Sequence, residues 1–148
     1  MDTARAMTRE VVCIAPADDL DAAWQLMLDH GIRHLPVLDQ DTLVGVLSDR
    51  DILLLARVEE GEVVVPGIPV AHAMSPAPVT CHSRSHVAQA AALMLEHKID
   101  CLPVVDDEDR MVGFITSSDL LELVSRDPAA REFPYSFRLR AAWPGRAR

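Results

Sequence analysis

Apolar and polar positions along the chain follow an order of strand-like and helix-like patterns that occurs twice. In the first copy, a short apolar run precedes Pro16, and apolar residues from Leu20 to Leu28 then recur every three or four positions. That spacing is typical of an amphipathic helix, whereas the other apolar runs are short enough for strands. The elements predicted for this copy are strands over Val11–Ile14, His34–Leu38 and Thr42–Leu47, a helix between the first two strands, and a helix from Ser48 through Leu55. The order is therefore β-α-β-β-α.

Helix-terminal residues predict where the first long helix begins and ends. Asp18 is predicted as its N-cap and Asp21 lies in the first turn, where a carboxylate accepts backbone N–H bonds and favours the helix dipole. Gly31 is predicted to end the helix in the left-handed conformation. Lys98 occupies the equivalent position in the second copy, which predicts a less sharp end for that helix.

The two copies are similar residue by residue. At an offset of 67, residues 7–39 share 12 identities in 33 positions with residues 74–106. One extra residue then raises the offset to 68. The second copy is predicted to contain strands over Val79–Cys81, Cys101–Val105 and Met111–Thr116, and helices over His86–Glu96 and Ser117–Val124. Such a repeat implies a pseudo-two-fold arrangement with equivalent surfaces facing each other across a cleft.

The repeat predicts four segments in the chain. They are repeat 1 over 1–57, a connector over 58–70, repeat 2 over 71–125 and a C-terminal tail over 126–148. A unit of roughly 50 residues is marginally stable alone. The two repeats are therefore predicted to share a core or to pack obligately.

Composition excludes several classes of protein. The chain has 148 residues, is 49% hydrophobic, and contains no run of 18 apolar residues, so no membrane span is predicted. Its three cysteines show no C-x-x-C spacing, and its first residues lead into no apolar secretory segment. Both features favour reduced thiols in the cytoplasm. The net charge of −9 argues against nucleic acid as a main partner, because phosphates need a positive surface.

These patterns resemble a tandem pair of cystathionine-β-synthase (CBS) domains. The resemblance is carried by the Met-Thr and Met-Ser starts, by residues 31–39 and 43–53, and by the second copies of both stretches, over roughly residues 6–125. It implies an α/β (α+β) fold in which two β-α-β-β-α repeats pack face to face with pseudo-two-fold symmetry. It also implies an adenine nucleotide or adenosyl ligand in the cleft between the repeats, and a homodimer of two such modules.

A Ser/Thr-x-x-Asp element begins the last helix of each repeat, as Ser48-x-x-Asp51 and Thr116-x-x-Asp119. One interpretation is a capping box, in which the hydroxyl and the carboxylate satisfy backbone N–H groups at the helix start. The resemblance adds a second interpretation, in which the carboxylate accepts the two hydroxyls of a ribose and the helix start faces phosphate. The two interpretations are compatible, because a cap would orient the carboxylate.

The candidate binding residues differ between the copies. The first copy has Arg50 beside Asp51, and Arg33-His34 before the second strand, so it has guanidinium groups for a phosphate. The second copy has Ser118 and Asp100-Cys101 at these positions, which favours a nucleoside, a ligand of low charge or no ligand. The first-strand position that the family often fills with Thr is Cys13 in one copy and Thr80 in the other.

The function predicted from the resemblance is regulatory. The regulatory ligand is AMP, ADP or ATP, no cofactor is required, and the signal passes to a separate effector protein. A scaffold with empty clefts is the alternative. No catalytic constellation is evident, so the chain is not predicted to be an enzyme. Cys81, His82, His86 and Cys101 do not match a zinc spacing, so no metal is predicted.

The last helix of each repeat, which we call its closing helix, also predicts assembly. The closing helices contain more leucine side chains than one apolar stripe can bury, namely Leu53, Leu54 and Leu55 in one repeat and Leu120, Leu121 and Leu123 in the other. A homodimer formed through the long and terminal helices is expected.

The tail differs from the rest of the chain. Residues 126–148 contain six arginines against Asp127 and Glu132, so the tail carries +4 and the rest of the chain −13. Four of the six aromatic residues lie here, and residues 135–140 alternate apolar and polar as a strand does. Three interpretations remain open: an arm on the acidic body of its own chain or its dimer partner, a docking peptide for another protein, and a nucleic-acid arm.

Overall fold

The computed structural model describes residues 1–127 and confirms the predicted fold class. Two small α+β units face each other with pseudo-two-fold symmetry, each with a three-stranded sheet. The first unit contains α1 (Leu20–His30), β1 (His34–Asp39), β2 (Thr42–Ser48), α2 (Asp49–Leu53) and β5 (Ser75–Pro76), and the connector contains β3 (Arg57–Glu59) and β4 (Glu62–Val64). The second unit contains β6 (Cys81–His82), α3 (Val87–His97), β7 (Cys101–Val105), β8 (Met111–Thr116) and α4 (Ser117–Arg126). The tail lies outside the described residues beyond Asp127.

The first predicted strand of each repeat is much shorter than expected. In the first unit it reduces to one parallel bridge, between Ile14 and Val37. Ile14 donates its N–H to Pro36 O at 3.1 Å and accepts from Leu38 N at 2.9 Å. Pro16 follows two residues later and has no N–H to extend the ladder. In the second unit only β6 remains, parallel to β7.

The sheet of each unit is extended by residues from the start of the other repeat. β5 pairs with β2 of the first unit, with Gly45 opposite Pro76 and Val46 opposite Ser75. Thr8 bridges Phe114 of β8 in the second unit. The Met-Thr start that belongs to repeat 1 in sequence therefore packs in the second unit. This exchange explains how units of marginal size are held together.

Close backbone approach fixes the identity of two repeat-equivalent glycines. A Cβ on Gly45 would lie 2.6 Å from Met74 Sδ and 3.0 Å from Ser75 O. A Cβ on Gly113 would collide with Met7 Sδ and lie 2.9 Å from Thr8 O. Both glycines thus make room for the exchanged segments.

Each unit has its own hydrophobic core. Leu20 of α1 and Leu35 of β1 are fully buried in the first core, where Val70 of the connector joins them. Leu102 of β7 and Ile115 of β8 are fully buried in the second core, against which the N-terminal Met7 packs. The exchanged segments therefore contribute to the cores as well as to the sheets.

The helix ends differ in part from the predictions. The N-cap of α1 is Asp19 rather than Asp18, whose Oδ2 accepts from Ala15 N at 2.9 Å. Gly31 adopts the left-handed conformation as predicted, with φ of 62°. Lys98 adopts it as well, with φ of 55°, so the expectation of a less sharp end is wrong. The N–H of Lys98 donates to Met94 O, so the left-handed turn closes the helix with a cap hydrogen bond although lysine disfavours this backbone angle.

The connector forms a short hairpin that the sequence patterns did not predict. β3 and β4 are antiparallel and joined by Glu60 and Gly61, both with positive φ. We call this element the connector hairpin. Two positive φ values at the turn match the twist of paired strands. The helix α2 that precedes it ends at Leu53, before the predicted Leu55.

The longest helices in residues 1–127 have 11 residues, and none of them combines the length and hydropathy that a membrane crossing requires.

Candidate functional site

Two cavities lie between the units, one beside the start of each closing helix. We call the first the α2 cleft, with a volume of about 370 Å³, and the second the α4 cleft, with a volume of about 400 Å³. Volumes of this size are typical of small-molecule sites.

The α2 cleft combines the start of α2 with backbone of the other unit. Ser48, Arg50 and Asp51 lie on one side, and residues 76–79 and 98–101 lie on the other. The candidate Cys101 is part of this lining.

The α4 cleft has the equivalent construction with the units exchanged. Thr116, Ser118 and Asp119 lie at the start of α4, opposite residues 10–12 and 30–34. Each cleft thus takes its helix start from one unit and its opposing backbone from the other, so a ligand in either cleft would touch both units.

Three residues line both clefts. They are Arg33, His34 and Asp100. The structure therefore places Arg33 and His34 at both sites rather than at the first alone. Arg33 O accepts from Asp49 N at 2.9 Å, and Asp100 O accepts from Ser117 N at 2.8 Å. These bonds connect the shared residues directly to the first turn of each closing helix.

Both predicted capping boxes are present. Asp51 Oδ2 accepts from Ser48 N at 2.8 Å, and Ser48 Oγ accepts from Asp51 N at 3.1 Å. Asp119 Oδ2 accepts from Thr116 N at 2.7 Å and from Thr116 Oγ1 at 2.8 Å. The cap uses Oδ2 in both cases, and within residues 1–127 no hydrogen bond is made to Oδ1 of either carboxylate. Each cap therefore fixes a carboxylate whose second oxygen can accept from a ligand.

The charged residues lining the two clefts differ in balance. The α2 cleft has three cationic and three anionic side chains, namely Arg33, Arg50, Lys98, Asp49, Asp51 and Asp100. The α4 cleft has one arginine against three carboxylates, namely Arg33, Glu10, Asp100 and Asp119. The α2 cleft is therefore much better suited to an anionic group.

Glu10 and Lys98 were missed as cleft residues in the sequence. Lys98 stands where the first repeat has Gly31, and Glu10 stands where the second repeat has Ala77. Comparing the charges of equivalent positions would have shown the difference, but only the structure shows that these positions line clefts.

His34 is the histidine of the shared lining. Burial lowers the pKa of His34 below its ordinary value, while Asp49 opposes this shift and Arg33 reinforces it. The ring is therefore neutral at pH 7, where it offers one donor and one acceptor.

The cysteines are not activated for chemistry. Burial raises the pKa of Cys101 to about 12, and Asp100 reinforces the shift. Burial likewise raises the pKa of Cys81 to about 11. Both thiols are protonated at neutral pH and are poor nucleophiles and metal ligands. In the described part of the chain, no group of three or more His, Cys, Asp and Glu side chains is arranged to hold a metal ion.

Cys13 and Thr80 line neither cleft. The preceding residues, Val12 and Val79, line the α4 and α2 clefts. The thiol of Cys13 donates to Val11 O at 3.5 Å instead. In each repeat the residue named from the sequence is thus one position after the residue that lines the cleft. The face that a short, irregular strand presents cannot be derived from its sequence.

Comparison with known families identifies the repeat. The sequence model of the CBS domain matches residues 4–57 and 70–126. The chain is 34% identical over 116 residues to the CBS domain-containing protein YhcV of Bacillus subtilis, covering 77% of this chain and 79% of that protein. It is 31% identical over 134 residues to the inosine-5'-monophosphate dehydrogenase of Korarchaeum cryptofilum, covering 90% of this chain. It spans only 26% of that enzyme's length.

Two solved structures share this architecture. CBSX2 of Arabidopsis thaliana in complex with AMP superposes with a TM-score of 0.73 at 27% identity, covering 84% of this chain and 96% of that chain. The CBS domain pair of MJ0100, in complex with 5'-methylthioadenosine and S-adenosyl-L-methionine, superposes with a TM-score of 0.72 at 25% identity and the same coverages.

Proposed function

The chain belongs to the CBS domain family, and on that premise we propose that it is a regulatory module that binds an adenine nucleotide or a related adenosyl compound between its units. The observation that carries the proposal is the pair of capped carboxylates, Asp51 and Asp119, each at the start of a helix that lines a cleft. Each carboxylate has one oxygen fixed by the cap and a second oxygen that can accept ribose hydroxyls.

The ligands of the similar structures indicate what the clefts recognise. AMP, 5'-methylthioadenosine and S-adenosyl-L-methionine all contain adenosine and differ in the group on the ribose. Adenosine is therefore the common part of the proposed ligand. The backbone of residues 30–34 and 98–101 lies opposite the helix starts, and we propose that it contacts the base.

The two clefts are proposed to differ in the charge of their ligands. Arg33, Arg50 and Lys98 in the α2 cleft suit the phosphates of AMP, ADP or ATP. The α4 cleft has Ser118 in place of Arg50 and adds Glu10, so it suits an adenosyl compound without phosphate. A ligand with a sulfonium or ammonium group would gain from its carboxylates.

Regulation would act through the contact that a ligand makes with both units. A ligand can shift the packing of the units only by its different affinity for the two arrangements. Because Arg33 and Asp100 line both clefts, a ligand in one cleft would contact residues that also line the other. We propose that the output passes to a separate effector protein, and that the module has no active site of its own.

A homodimer and a cytoplasmic location complete the proposal. Leu54, directly after the end of α2, is 77% exposed, and Leu121 of α4 is 67% exposed; both would meet a second copy. The three cysteines are free thiols, which fits a reducing compartment.

Titration calorimetry of the full chain with AMP, ADP, ATP, 5'-methylthioadenosine and S-adenosyl-L-methionine tests the function. We expect saturable binding of at least one compound, with guanosine nucleotides as the control for the base. If none of the five binds at millimolar concentration, the module is not an adenosyl sensor and the scaffold alternative becomes the better one.

A further inference from the structure

The connector hairpin presents backbone edges that the rest of the described chain does not cover. Within residues 1–127, β3 and β4 pair only with each other. A two-stranded sheet of this kind is at best marginally stable in water. Its outer edges carry unpaired N–H and C=O groups that can accept a further strand.

The two faces of the hairpin have opposite character. Val58 lies directly opposite Val63, and these side chains are on one face with 74% and 45% of the residue exposed. Glu59 lies directly opposite Glu62 on the other face, beside Glu60 of the turn. Like charges in direct opposition destabilise a strand pair. Arg57 Nε forms an exposed ion pair with Glu59 Oε1 at 3.7 Å, and an exposed pair of this kind contributes little.

The tail of the chain has the complementary pattern. Residues 135–140 read Tyr-Ser-Phe-Arg-Leu-Arg, so an extended chain would present Tyr, Phe and Leu on one face and Ser and two Arg on the other. The segment belongs to the +4 tail, and the rest of the chain carries −13.

We propose that residues 135–140 add to the connector hairpin as a third strand. The aromatic and leucine side chains would cover Val58 and Val63. Arg138 and Arg140 would face Glu59 and Glu62 and relieve their repulsion. Backbone pairing gives such an addition its affinity, and the alternation of side chains fixes which face is which.

Hydrogen exchange of the full chain, followed by mass spectrometry at low ionic strength, tests the proposal. We expect peptides covering 57–64 and 135–140 to exchange at least ~10-fold more slowly than in a chain truncated after residue 130 and in a free tail peptide, respectively. Glu59→Lys with Glu62→Lys should abolish the protection of the tail, and so should Arg138→Glu with Arg140→Glu. Combining the two pairs of reversals should restore it.

The matched control is Asp39→Lys with Asp41→Lys, an equal change of charge at the exposed β1–β2 turn. It should leave the protection of the tail unchanged. If it releases the tail as strongly as the hairpin reversals, the tail is held by overall charge and the proposal is wrong. Tail amides that exchange as in a free peptide, or protection of the tail without protection of 57–64, would also overturn it.

Discussion

Thr8 and Phe114 exchange both of their backbone hydrogen bonds, although they belong to different sequence repeats. Thr8 N donates to Phe114 O at 2.8 Å, and Phe114 N donates to Thr8 O at 2.9 Å. The N-terminal segment is thereby part of the second unit. The equivalent pairing of Ser75 with Val46 joins the start of repeat 2 to the first unit. Each unit is therefore completed by chain from beyond its own repeat, and stability of the two units is coupled.

Gly113→Ala should destabilise the chain, because the new Cβ collides with Met7 and comes within 2.9 Å of Thr8 O. We expect a loss of about 1–3 kcal/mol in the free energy of unfolding, measured by urea denaturation. Gly67→Ala is the matched control, since the nearest atom to its Cβ is Asp19 Oδ1 at 3.9 Å. Equal midpoints for the two variants would show that the N-terminal segment is not held closely against β8.

Asp51→Ala should weaken the binding of AMP by about 1.5–3 kcal/mol, the scale of a hydrogen bond to a charged group. Calorimetry provides the measurement, and Asp119→Ala is the control. Both variants lose a capping box of similar geometry, so their loss of helix stability is comparable. If AMP prefers the α2 cleft, Asp119→Ala should retain the parent affinity. An unchanged affinity in a folded Asp51→Ala variant contradicts the proposed role of this carboxylate.

Arg50→Ser gives the α2 cleft the residue of the α4 cleft, because Ser118 is its equivalent. The affinity for ATP should fall by ~10-fold or more, since a guanidinium contact to phosphate is lost. The affinity for 5'-methylthioadenosine should change little, because that compound has no phosphate. Equal losses for both compounds would mean that Arg50 supports the fold of the cleft rather than the phosphate.

The repeated elements and the capping boxes could be predicted because they depend on local patterns. Ser48-x-x-Asp51 specifies a cap wherever a helix begins, and the period of α1 is visible within its own residues. The exchange of segments could not be predicted, because the 67-residue offset relates Met7 to Met74 without showing which sheet either one joins. The crossed composition of the clefts follows from that exchange and was missed for the same reason.

Competing local preferences account for other errors. A lysine normally avoids positive φ, yet Lys98 makes the same left-handed turn in the second unit that Gly31 makes in the first. The next residue, Ile99, packs against the second core after this turn. The connector hairpin has strands of only three residues, too short for an alternation to be distinguished from a loop.

The stability of the chain should fall as the pH is lowered through the range in which His34 titrates. Burial lowers the pKa of His34 in the folded chain, so the unfolded chain binds this proton more readily. The contribution of His34 to the free energy of unfolding is fully present above the unfolded pKa, ~6.5, and is lost as the pH falls towards the folded pKa.

Urea denaturation between about pH 5 and pH 8 measures this contribution. His34→Gln should flatten this part of the curve. A curve unchanged by His34→Gln would show that other groups cause the decline.

Leu54→Asp should convert a homodimer into monomers. Leu54 is 77% exposed directly after the last residue of α2, and its neighbours Leu53 and Leu55 are 47% and 43% exposed. On α4, Leu121 and Val124 are exposed by 67% and 51%. A second copy that covers these side chains would bury apolar surface worth roughly 25 cal/mol per Å², and a carboxylate placed there would have to be desolvated.

Light scattering at micromolar concentration should report a dimer for the parent chain and a monomer for Leu54→Asp. Thr42→Asp adds the same charge at the exposed β1–β2 turn, outside the closing helices, and should remain dimeric. A parent chain that is monomeric under these conditions would refute the dimer, and a Leu54→Asp variant that stays dimeric would move the interface away from the closing helices.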